Sequence, residues 1–73
     1  MGGETLNGRV LDEYGEPLPG VAVYDASRMK DGVLTDDKGK FSIKVSSSCK
    51  FLTVSCLGYQ IENVPVGKIS EIR

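Results

Sequence analysis

Histidine and tryptophan are both absent from this 73-residue chain. Without an imidazole there is no His-based triad or dyad, no ordinary zinc ligand set, and no general base of the commonest kind. The two cysteines, Cys49 and Cys56, therefore have nothing of that kind to activate them as nucleophiles. Aromatic residues make up only 7% of the chain, too few for a broad sugar-stacking platform. Of the rings present, Phe41 reads as core, Tyr59 as packed inward with its hydroxyl at the rim, and Tyr14, in a turn, as the one exposed ring. Charge of one sign is also lacking: 9 Lys and Arg stand against 10 Asp and Glu, for a net charge of −1. The basic residues are scattered singly, which argues against binding nucleic acid through its phosphates. No apolar run approaches the roughly 20 residues of a membrane-spanning helix; the longest tract, Val54 to Leu57, is interrupted by Ser55. Met1-Gly2-Gly3-Glu4 carries neither the basic start nor the apolar stretch of a secretory signal.

What is present is a globular balance, with 40% hydrophobic and 26% charged residues. A chain of this size holds one domain and buries only about 60% of the surface it exposes when unfolded. Nine glycines and three prolines in so few residues predict many turns. The signals recur every roughly 8 to 12 residues, an all-β spacing, and no segment carries a sustained helical period. Strands are expected at Thr5–Leu11, Val21–Tyr24, Val33–Thr35, Phe41–Val45, Phe51–Cys56 and Tyr59–Val64, with a start of another at Ile69–Arg73. The polar stretch from Asp25 to Gly32 reads as a loop. Residues 1–4 read as a cloning scar or unstructured start, and 5–73 as one domain whose last strand is cut short.

The punctuation has physical jobs. Gly15, Gly20 and Gly39 suit positive φ, and Gly58 breaks a strand. Pro17 and Pro19 cannot donate to a ladder, so their segment is a crossing loop or an edge. Asp36-Asp37-Lys38-Gly39 is the clearest hairpin signal, a type I turn with Gly39 in the left-handed region. Asp36 and Asp37 are adjacent and so make a poor acid–base pair. The spacing of the acids after Asp31 fits no EF-hand, which needs oxygens at alternating positions and an acid at the twelfth. Core positions are expected at Val10, Val21, Phe41, Ile43, Val45, Leu52, Val54 and Tyr59. Cys49 and Cys56 lie seven residues apart, about 23 Å in extended chain at roughly 3.3 Å per residue. That is too far for a disulfide, which needs Cα atoms within about 7 Å.

Four pieces occur in a fixed order: Asn7-Gly8-Arg9-Val10-Leu11-Asp12, Gly15-Glu16-Pro17-Leu18-Pro19-Gly20-Val21, Thr35-Asp36-Asp37-Lys38-Gly39-Lys40-Phe41, and Val54-Ser55-Cys56-Leu57-Gly58-Tyr59. The chain resembles the carboxypeptidase regulatory-like domain family, and within it the carboxypeptidase D regulatory-like modules of Bacteroidetes envelope proteins. The likeness covers about residues 6 to 64. It implies a transthyretin-like Greek-key β-sandwich of six to seven short, mostly antiparallel strands, with no enzymatic activity and no cofactor. It also implies an accessory role in the periplasm or at the outer membrane, as an extension ahead of the plug of a TonB-dependent receptor. The partner would be a neighbouring domain or another envelope protein. The segment between Tyr24 and Val33 departs from the family's pattern. The plug and barrel that such receptors carry lie outside these residues. An alternative reading is a small surface module that binds carbohydrate or protein. An incomplete last strand would leave an edge open to homodimer formation.

Overall fold

Alternation marks the strand on which the core is organised. In Lys40–Ser46, Phe41, Ile43 and Val45 are buried while Lys40, Ser42 and Lys44 are exposed, the period-two pattern of a strand covered on one face. The computed structural model describes residues 3–56 and 61–72, with 29–31 by backbone alone. The strands are β1 (Gly3–Arg9), β2 (Ala22–Asp25), β3 (Arg28–Leu34), β4 (Lys40–Ser46), β5 (Phe51–Ser55) and β6 (Glu62–Pro65), followed by a 3₁₀ turn at Val66–Lys68. No α-helix occurs among the described residues.

The six strands form two sheets. β1 pairs with β4 in one, and the other has the order β3-β2-β5-β6. Every pairing between these strands is antiparallel. The chain leaves the larger sheet after β3, runs through β4, and returns beside β2. Leu6 opposite Ile43 and Gly8 opposite Phe41 line the inner face of the smaller sheet. Val23, Leu52 and Val54 face them from the larger sheet, and Val10, Val21, Ile69 and Ile72 complete the buried cluster. A Cβ on Gly8 would overlap the Phe41 ring and the Ile69 carbonyl oxygen. This glycine is therefore needed for a close approach, not for its torsion angles.

Several expectations need correction. The stretch expected as a loop from Asp25 to Gly32 is largely strand: Asp25 ends β2 and β3 begins at Arg28. Pairing with β2 provides hydrogen bonds that the polar side chains alone do not predict, so tertiary context overrides strand propensity. The Asp36 to Gly39 turn does not join neighbouring strands of one sheet, because β3 and β4 lie in different sheets; it is a corner between them. β1 begins at Gly3 and ends at Arg9, with Gly3 opposite Ser46. Val10 and Leu11 lie beyond it in isolated bridges, Val10 to Ile72 in parallel and Leu11 to Pro17 in antiparallel sense. The final segment thus reaches the end of β1 through one bridge rather than a full strand. β6 starts at Glu62, and Gly58 and Tyr59 lie outside the described residues.

Gly39 sits at φ +74°, and a Cβ there would overlap the Val10 carbonyl oxygen. Gly39→Val should lower stability by more than about 1 kcal/mol, since a β-branched residue resists that backbone conformation. An unchanged urea midpoint would show that the corner tolerates a side chain.

Candidate functional site

Two aspartates build turns of the same design. Asp12 Oδ1 accepts hydrogen bonds from the N–H groups of Tyr14 and Glu16, each at 2.8 Å. Asp36 Oδ1 accepts from Lys38 and Lys40, each at 2.9 Å. In both turns the glycine three residues on donates its N–H to the aspartate carbonyl, and the aspartate N–H donates to the carbonyl of the residue after that glycine. The Lys40 and Lys38 N–H groups hold the Asp36 carboxyl below its ordinary pKa against the opposing effect of burial, with a lesser contribution from the charges of those lysines. The repeated Asp-x-x-Gly spacing is the sequence signal for this pair. Gly15 and Gly20 have φ of 83° and 72°. Pro17 is exposed and bridges Leu11, and Pro19 is exposed.

Thr35 ties the two crossing segments together. Its hydroxyl donates to the Leu18 carbonyl at 2.6 Å and accepts from the Val21 N–H at 2.9 Å. Its own N–H donates to the Val21 carbonyl, and its carbonyl accepts from Gly20. Thr35 is buried, so these bonds are shielded from competing water. Sequence reasoning placed Thr35 within a motif without seeing this role. The available signal was a threonine directly before a turn aspartate.

At the other end of the sandwich Asp25 is 3% exposed. Its Oδ1 accepts from the Ser27 N–H at 2.9 Å and the Ser27 hydroxyl at 2.7 Å, and its Oδ2 accepts from the Ser46 N–H at 3.0 Å. The carboxylate thereby staples the β2–β3 turn to the end of β4. Burial acts to raise its pKa. The Ser27 hydroxyl, the Ser46 and Ser27 N–H groups and the Cys49 thiol outweigh that and hold the carboxyl well below the usual range. The Cys49 thiol is pushed up in turn, by burial and by the hydrogen bond and negative charge of Asp25. That favours the unreactive thiol form. Cys49 and Cys56 are both free and partly buried.

These polar groups are occupied in holding the chain together. No buried side-chain nitrogen or oxygen among the described residues lacks a hydrogen-bond partner, and no cluster of three His, Cys, Asp or Glu residues is placed to hold a metal there. The predicted core residues Val10, Val21, Phe41, Ile43, Val45, Leu52 and Val54 are all buried. Tyr14 is 84% exposed on its turn, as expected for that ring. A cavity of about 220 Å³ opens at the Asp12 end, with Val10, Leu18, Val54 and Ile72 in its wall and Asp12, Glu13 and Glu62 contributing carboxylates.

An all-β domain of two small sheets, with Asp12, Asp25 and Asp36 bonded into its turns, is the class these observations define. Residues 6–72 match the model of the CarboxypepD_reg-like domain, and the chain belongs to that family. It is 33% identical over 61 residues to TonB-dependent receptor P39 of Formosa agariphila. The match takes in 84% of this chain and 6% of that receptor, so the chain spans only a small part of its relative's length. No solved structure matches the chain.

Substitutions at two residues test the internal polar contacts. Thr35→Val should cost about 1–3 kcal/mol, because two buried backbone groups lose their side-chain partner; Thr35→Ser should retain most of the stability in the same urea titration. Asp25 has a folded pKa below its unfolded one. Its contribution is therefore complete above about pH 4, the range in which a free aspartate ionises, and is lost as pH falls below that toward the folded value. Asp25→Ala should cost about 2–4 kcal/mol at neutral pH. Asp25→Asn should lose less stability than the native chain between pH 7 and pH 3; equal acid losses in the two proteins would rule out the latch.

Proposed function

We propose that this chain is a non-enzymatic accessory module of a longer cell-envelope protein. In particular, we infer that it is the periplasmic N-terminal extension of a TonB-dependent outer-membrane receptor for glycan-type nutrients. The observation that carries the reading is the 33% identity to TonB-dependent receptor P39, in which the matching region is 6% of the length. The internal chemistry is consistent with it: Asp12, Asp25, Asp36 and Thr35 all bond within the chain. A scaffold of this kind contributes through its surface, toward a neighbouring domain or another envelope protein, by sheet-edge or loop contacts. No described helix is long and apolar enough to cross a membrane, so attachment to the membrane would come from the rest of the protein.

A second reading rests on Tyr14, which is 84% exposed between Glu13 and Glu16. An isolated ring on a rigid turn is the kind of contact that a small carbohydrate- or protein-binding surface module uses.

An antibody raised against the chain should detect, in native cells, a polypeptide far larger than its 7.9 kDa, and in the outer-membrane fraction. A band of the module's own size in the soluble cytoplasmic fraction would refute the receptor reading. Saturable, Tyr14-dependent spectral shifts on titration with glycans would favour the second reading.

A further inference from the structure

The two outer faces of the sandwich differ in chemistry. On the β1–β4 sheet, register places Arg9 opposite Lys40 and Thr5 opposite Lys44, with both lysines exposed. That face is basic and polar, and Arg9 is paired with Glu71 at 2.7 Å. The larger sheet is unlike it. Inward positions go to Val23, Leu52 and Val54, so alternation turns their neighbours outward. Ala22 lies opposite both Leu34 and Ser55, Tyr24 opposite Thr53, and Phe51 opposite Pro65. None of these outward residues is charged; the charges of the sheet, Arg28, Lys30 and Asp31, lie on β3 away from its Leu34 end, apart from the buried Asp25 and from Glu62 on β6, which lies opposite the inward Val54.

This face also gathers exposed apolar bulk. Leu34 is 68% exposed, Phe51 45% and Ile61 68%. Ile61 directly precedes β6, on the side that alternation assigns to Asn63. Tyr14, the remaining large exposed apolar residue among those described, lies on the turn after β1. Scattered exposed apolar residues need no explanation, but three on one face, around the uncharged outward positions of β2 and β5, mark a contact surface.

We propose that the outer face of the β3-β2-β5-β6 sheet docks against a neighbouring domain of the same polypeptide, one presenting an uncharged, apolar counter-surface. The inference rests on the reading of this chain as part of a longer protein. Size decides between occupants. Four strands about 4.8 Å apart and about four residues long give a footprint of roughly 250 Å². A stable complex of free partners buries about 800 Å² on each, so a second copy has too little surface to hold by this face alone. A tethered domain needs far less, because the linker supplies a high effective concentration. The missing charge selects the counter-surface: an approaching Lys or Glu would be desolvated here without a partner.

Hydroxyl-radical footprinting tests this without altering the protein. Oxidation of Leu34, Phe51, Ile61 and Tyr14 is compared between the 73-residue chain alone and the longer polypeptide that its gene encodes. The first three should be protected several-fold in the longer protein, while Tyr14 stays reactive. In that protein, Leu34→Lys should restore the reactivity of Phe51 and Ile61; the position is exposed, so the module itself should still fold. Equal reactivity of Leu34, Phe51 and Ile61 in both forms would overturn the docking face and leave the accessory-module reading standing. Protection that appears in the short chain as its concentration rises would assign the face to a second copy and overturn the proposal. A gene that encodes nothing beyond these residues would remove both readings together.

Discussion

Two sheets this small stay face to face because the chain is bound to itself where it crosses between them. Val10 is the centre of that crossing. Its N–H donates to the Gly39 carbonyl at 2.7 Å, and its carbonyl accepts from Leu18 at 3.0 Å, while its side chain is buried in the core. Leu11 donates to the Ile72 carbonyl and Ile72 to that of Arg9, which brings the chain's last described segment to the same place. Thr35 then fastens Leu18 and Val21 to the segment leading into the Asp36 corner. One backbone residue thus lies at the meeting point of the crossing loop, the corner turn and the C-terminal segment. In a domain whose core contributes so little beyond the entropy of ordering the chain, these shielded backbone bonds fix which faces meet.

The same economy explains the acidic residues. An aspartate in a tight turn can satisfy two N–H groups that no strand would otherwise reach. Asp12 and Asp36 do this at two corners of similar geometry. Asp25 does it under cover, where an unpaired charge would be costly but three hydrogen bonds satisfy the carboxylate. An anion so fully solvated by the protein has little basicity left for proton transfer. These three carboxylates are thereby committed to structure.

How far the sequence was legible follows from the range of the forces involved. β4 could be read because its pattern is local: Phe41, Ile43 and Val45 alternate with Ser42 and Lys44 between a turn and a serine run. The Gly39 turn was legible for the same reason. Of β3 only the end, Val33 and Leu34, could be read; its start could not, because the backbone partners of Arg28–Leu34 lie on β2 and nothing in its own polar residues announces them. Its pairing with β2 depends on the Asp25 staple, whose third bond comes from Ser46, 21 residues away. The corner role of Asp36 was hidden likewise. A turn sequence specifies how the chain reverses, not whether the two strands it joins share a sheet. Gly8 stands in the sequence only as part of the Asn7–Asp12 motif; that it makes room for Phe41 and the Ile69 carbonyl depends on residues far along the chain.

The outer faces show where selection on surface chemistry can be separated from selection on fold. The corner bonds and the buried cluster account for the inner faces, and either outer face could be polar at no cost to them. One is: Lys40 and Lys44 stand in water opposite Arg9 and Thr5. The other keeps Leu34, Phe51 and Ile61 in contact with solvent, where each forgoes the stabilisation that burial would bring and adds an aggregation hazard. Nothing within the module calls for that arrangement. A covered face removes the hazard and recovers the lost burial. An outer face with this asymmetry is what a module with a covering domain, as proposed above, would carry.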